Sequence, residues 1–151
     1  MQSQYLMLAE NITYKNNKLS CINVIDQFLV MKLPSEAYFD LVAICGPGWS
    51  EGEYNVTIKV QTDENEMHEL GNTQIKVPNE DFVYNAFAPN MKVVLQEETK
   101  YVNFFVYRNE ELAIQRNYKV APLFVQQEAQ KIEEAQETQK TEEMQETQET
   151  T

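Results

Sequence analysis

The chain has 151 residues, enough for one domain with a real core. Its 24 acidic residues against 12 basic ones give a formal charge of −12, which disfavours direct nucleic-acid binding, because phosphate backbones are held by clustered Lys and Arg. No apolar run approaches the roughly 20 residues of a membrane helix, and the start, Met1 to Asn11, lacks the basic region, long apolar stretch and cleavage site of a secretory signal, so a cytoplasmic protein with no membrane association is expected.

In that compartment Cys21 and Cys45 read as reduced, small buried hydrophobes. Strand candidates then follow one another with short polar interruptions. Tyr5 to Ile12 is apolar and leads to the turn Lys15-Asn16-Asn17-Lys18; Leu19 to Ile25 alternates; Phe28 to Leu33 stops at Pro34, which cannot donate to a ladder. Phe39 to Ile44 ends at Gly46-Pro47-Gly48, and Tyr54 to Val60 puts Tyr54, Val56, Ile58 and Val60 on one face. After the turn Thr62-Asp63-Glu64-Asn65 come the shorter runs Met67 to Leu70 and Thr73 to Val77, then a turn capped by Asn79, then Met91 to Gln96.

The clearest signal is the stretch Lys100 to Val120, which reads as a β-hairpin. Its first arm, Tyr101 to Tyr107, is β-branched or aromatic on both faces, as expected of a strand inside a sheet. Its second arm sets Leu112, Ile114, Tyr118 and Val120 against Ala113, Gln115, Asn117 and Lys119, a period of two. A two- or four-residue loop at Arg108-Asn109-Glu110-Glu111 would set Phe105 opposite Ile114; a three-residue loop would set Val106 there. The fold expected is all-β, an antiparallel β-sandwich of about eight to nine short strands, with a closed barrel as the alternative.

Composition changes abruptly after Pro122, so the sandwich is assigned to residues 1–122 and a low-complexity acidic tail to 123–151. Through Ala121 there are 16 acidic and 10 basic residues, a charge of −6; beyond it 8 and 2, again −6. Within the tail a Glu/Gln/Thr nonapeptide beginning at Glu133 nearly repeats from Glu142. With almost no large apolar groups it cannot bury enough surface to offset its ordering entropy, so it is expected to be disordered or partly helical.

Tyr5-Leu-Met-Leu-Ala-Glu-Asn11 followed by Lys18-Leu-Ser-Cys-Ile-Asn-Val-Ile-Asp26 resembles the opening of a family of uncharacterised bacterial and phage proteins. In that family a strand, a turn and a second strand led by Lys-Leu run on to an Asp. The resemblance extends from about Tyr5 to Pro122 and implies a small β-sandwich. It carries no catalytic or binding residues, and Asn17 stands where the family has Gly.

The sole histidine, His68, lies in Glu66-Met-His-Glu69. A zinc site needs three or four convergent ligands, and a catalytic set around His68 with Ser50, Cys45 or Asp40 has no accompanying signature. Asp26 with Asp40 is another carboxylate pair of the kind any acidic domain offers. The run Asp63-Glu-Asn-Glu66 lacks the central Gly and terminal Glu of a calcium loop. No metal, cofactor or catalytic residue is therefore assigned. Two aromatic segments remain: Trp49 after Gly46-Pro47-Gly48, and Phe82 with Tyr84 and Phe87 in the loop-like Val83-Tyr-Asn-Ala-Phe-Ala-Pro89. Each either closes the core or presents partner-binding side chains. The sequence is thus read as a non-enzymatic protein-interaction module, with Trp49, Phe82, Tyr84 and Phe87 as candidate partner-binding residues; the resemblance implies a phage or mobile-element setting for it. The alternatives are a self-assembling structural protein, an acidic nucleic-acid mimic, and an enzyme around His68.

Overall fold

A computed structural model describes residues 4–16, 18–63, 65–123, 136 and 138–140. Among them nine strands form two sheets: β1 (Tyr5–Lys15), β2 (Lys18–Ile25), β3 (Phe28–Val30), β4 (Ser35–Cys45), β5 (Gly52–Thr62), β6 (His68–Val77), β7 (Tyr84–Leu95), β8 (Tyr101–Arg108) and β9 (Glu111–Pro122). The protein is all-β. One sheet runs β2-β1-β4-β7 and the other β3-β9-β8-β5-β6. Pairing is antiparallel except where short β3 lies parallel to β9, Phe28 beside Val120, which corrects the expectation of a purely antiparallel arrangement. The chain reaches β3 by crossing from the edge of one sheet to the edge of the other, and a crossover of that kind leaves the strand direction free.

The two sheets enclose one apolar cluster. Leu6, Leu8, Leu41, Ala43, Ala86, Val93 and Leu95 from the first meet Val56, Ile58, Val77, Val102, Phe104, Val106 and Val120 from the second. At its centre Phe39 packs edge-on against Phe104, with ring centroids 5.4 Å apart, and against Phe28 at 5.9 Å. Tyr118 completes the group at 5.6 Å from Phe104 and 6.0 Å from Phe28. Edge-to-face rings of this kind add to the area they bury, and Phe39 is the member that ties the first sheet to the second.

The β8–β9 hairpin sits where its sequence implied, β8 lying between β9 and β5. Its register resolves the loop question in a mixed way. Arg108 pairs with Glu111 around the two-residue turn Asn109-Glu110, yet Val106 faces Ile114, because a bulge follows between Val106 and Tyr107. The extra residue on β9 moves the side chains beyond it to the other face. Leu112, grouped with Ile114 by simple alternation, is therefore half exposed while Ile114 is buried. Asn109 takes φ 55° at the turn and its amide donates to Asn55 O at 2.7 Å.

Two expected boundaries shift. The runs Met67 to Leu70 and Thr73 to Val77 merge into β6, with a register shift opposite Ile58 and Lys59. The segment read as an aromatic loop is the first half of β7, paired with β4 from Tyr84 opposite Cys45 to Ala88 opposite Leu41. Pro89 does not end it, because β7 is an edge strand and proline is tolerated at edges and bulges. Of the acidic tail expected at 123–151, only Leu123, Gln136 and residues 138–140 are described, all of them helical; the rest lies outside the described residues.

Candidate functional site

The runs Leu6-Met-Leu-Ala9 and Leu41-Val-Ala-Ile44 are apolar on both sides of their strands. One set, Leu6, Leu8, Leu41 and Ala43, faces the main core. The other belongs to a second cluster on the outer face: Ala9 and Val42 are buried there, with Met7 and Ile44 packed beside them. The cover comes from the far end of the β1–β2 hairpin. β1 pairs with β4 only from Tyr5 to Ala9; past that point Ile12, Leu19 and Cys21 join the outer cluster.

Two features fix this departure. Asn23 takes φ 54° and its amide group donates to Glu10 Oε2 at 2.6 Å. Asp40, buried at a bulge in β4, accepts from Ile12 N at 2.9 Å through Oδ2 and from Asn90 N at 2.8 Å through Oδ1. One carboxylate thus replaces the ladder bonds that β1 and β7 lose at the bulge, and orphan backbone donors are satisfied without water.

Between the hairpin end and β7 lies a slot of about 370 Å³, within the roughly 300–1,000 Å³ range of ligand sites. Val42, 0 % exposed, forms its floor, Ile12, Tyr14 and Leu19 one wall, and Val83, Asn85 and Phe87 the other. Tyr14, Val83 and Phe87 stand at the rim, 62 %, 46 % and 46 % exposed. No lining side chain is ionisable apart from the Tyr14 phenol. Beside the slot, burial pushes the Cys21 thiol upward. Apart from that phenol, the described lining of the slot is aliphatic, aromatic or amide. It can take up an apolar side chain, with Asn85 and the Tyr14 hydroxyl as hydrogen-bonding groups.

The four aromatic candidates divide. Phe87 alone lines the slot. Phe82 and Tyr84 are half-buried and pack against the main core, and Trp49 is 1 % exposed and lies within it. Trp49 meets Tyr54 edge-on at 5.3 Å, and the Arg108 guanidinium lies 5.1 Å from its ring and 5.6 Å from that of Tyr54. Gly46 makes the chain's approach to this end feasible. Its φ is 83°, and a Cβ would stand 2.4 Å from Phe82 O, so only glycine fits. A shallow cleft of about 780 Å³ opens beside Tyr54 and Arg108, but Arg108 is already engaged there by Glu111 at 3.1 Å.

His68 is exposed and pairs with Val60, whereas Gly52, next to Ser50 and Glu51 in sequence, pairs with Val77. That separates His68 from the Ser50 end by eight residues of β5, roughly 27 Å at about 3.4 Å per residue. Cys45 and Trp49 lie in the main core, and burial pushes the Cys45 thiol up to about 11. Asp40 is committed to Ile12 and Asn90, and Asp26 is exposed. Among the described residues no group of three His, Cys, Asp or Glu side chains converges as a metal site, and no helix is long and apolar enough to cross a membrane. No family model and no curated protein matches the chain.

Proposed function

We propose that the chain is a β-sandwich interaction module, non-enzymatic and cytoplasmic, that holds a protein partner by taking one of its apolar side chains into the outer-face slot. What carries the reading is the slot itself, apolar, uncharged and floored by Val42, with Phe87 and Tyr14 exposed at its rim. Rings beside a desolvated pocket are the usual carriers of interface energy. With a chain charge of −12, the partner segment is expected to carry basic residues around its apolar one, which raises the association rate more than the affinity. The resemblance to bacterial and phage proteins suits a mobile-element setting for such a pairing.

Selection of a displayed random-peptide library on the full chain tests the proposal, with Phe87→Ser as the counter-target. Peptides sharing an aromatic or large aliphatic residue should emerge and bind Phe87→Ser weaker by about 30-fold, the loss of one interface anchor worth about 2 kcal/mol. Peptides that bind both forms equally, or no enrichment, would overturn it.

A further inference from the structure

On the far side of the β1–β2 hairpin a second, independent feature remains. β4 pairs with β7 from Ser35 onward, but its other edge is paired with β1 only from Asp40 to Ile44. Among the described residues no backbone hydrogen bond closes the edge from Ser35 to Phe39 on that side. A cleft of about 530 Å³ runs along it, and Ser35, Glu36, Ala37 and Tyr38 all line the cleft. Successive residues of a strand point to opposite faces, so four in a row border the same space only if that space lies along the strand's edge.

The opposite wall is the chain crossing from β2 to β3 and beyond, where Val24, Leu29 and Met31 are 57 %, 50 % and 70 % exposed. Glu10 and Asp26 line the cleft beside Lys32, and Glu36, also on its lining, is already paired with Lys92 at 3.1 Å. Glu36 is bonded by Tyr38 and Lys92, which hold its carboxyl below the usual range, Tyr38 foremost; it therefore stays charged.

We infer that this cleft is a strand-addition site: an extended segment of a partner, alternating basic and apolar residues, pairs through its backbone with the open half of β4. An open edge supplies unpaired N–H and C=O groups to an incoming chain. Glu10 and Asp26 select basic side chains on one face of that chain, and Val24, Leu29 and Met31 cover apolar ones. A second copy of this acidic chain is the less suited occupant, because it would bring like charge to the same rim.

A capped octapeptide alternating Lys and Val, titrated into the full chain, is the probe. Amides of Ser35–Phe39 that do not pair with β7 should shift in ¹H–¹⁵N spectra and exchange more slowly with solvent. The same peptide N-methylated at alternate residues, which cannot complete the ladder, should bind at least about tenfold more weakly. Asp26→Lys, an exposed change, should weaken the unmethylated peptide by about threefold, as a surface charge pair does. Equal binding of the methylated peptide, shifts confined to other surfaces, or absence of binding would overturn the inference. So would protection at Ser35–Phe39 that grows with protein concentration alone, the mark of self-pairing.

Discussion

Asp40 and Cys45 lie on the same strand and show opposite ways of burying a polar atom. Asp40 keeps its place by accepting from two backbone amides, Ile12 and Asn90. Removing the carboxylate orphans the buried Ile12 amide, costing about 1–3 kcal/mol, and leaves the Asn90 amide to water; Asp40→Ala should therefore lower stability by about 1–3 kcal/mol in urea unfolding and loosen the hairpin that walls the slot. A loss below about 0.5 kcal/mol, the range of an ordinary surface change, would show that the carboxylate is not the clamp. Cys45 has no charged partner, and burial pushes its thiol from 9.0 to about 11. The folded value lies above the unfolded one, so the stability it contributes is fully present below pH 9.0 and is lost as the pH rises through about 11, with a slope of at most about 1.4 kcal/mol per pH unit. Cys45→Ala should flatten the decline of unfolding free energy over that window. An unchanged slope would show that another group titrates there.

At the scale of elements, the hairpin β8–β9 was legible because β-branched and aromatic residues crowd one short stretch around a polar turn. Its register was not, because a bulge is a one-residue event that alternation does not encode. The difference is measurable: Phe104→Ala should cost about 3–5 kcal/mol, as truncation of a buried ring does, while Leu112→Ala should cost under about 1 kcal/mol, although simple alternation ranks Leu112 with the core. Comparable losses at the two positions would place the bulge elsewhere. The segment from Tyr84 to Pro89 reads as a loop because proline ends most strands; here Pro89 lies on the edge strand β7 at the irregularity opposite Asp40, where a missing donor is tolerated. Trp49 follows two glycines and so resembled a loop side chain, yet the tight turn at Gly46 delivers it into the core. The slot has a signal of its own in the sequence. The runs Leu6-Met-Leu-Ala9 and Leu41-Val-Ala-Ile44 are apolar on both faces, and a sheet apolar on both faces needs a cover on both.

For the whole molecule, two sheets of four and five strands make a stiff frame, and the hairpin end that covers the outer face leaves one gap against β7. Phe87 frames that gap at 46 % exposure, so its truncation is expected to cost stability about 1 kcal/mol or less; an unchanged circular dichroism spectrum and a melting shift of no more than about 8 °C would verify that binding losses in Phe87→Ser are not unfolding. Association by burial of an apolar side chain also requires that the slot accept such a group without the rest of a partner. Indole, the ring of a tryptophan side chain, is the simplest probe. Titrated into the full chain under ¹H–¹⁵N observation, it should give saturable shifts at Val42, Val83, Asn85 and Phe87 that vanish in Phe87→Ser. Shifts centred instead on Tyr54 and Arg108, or none that saturate, would contradict the account.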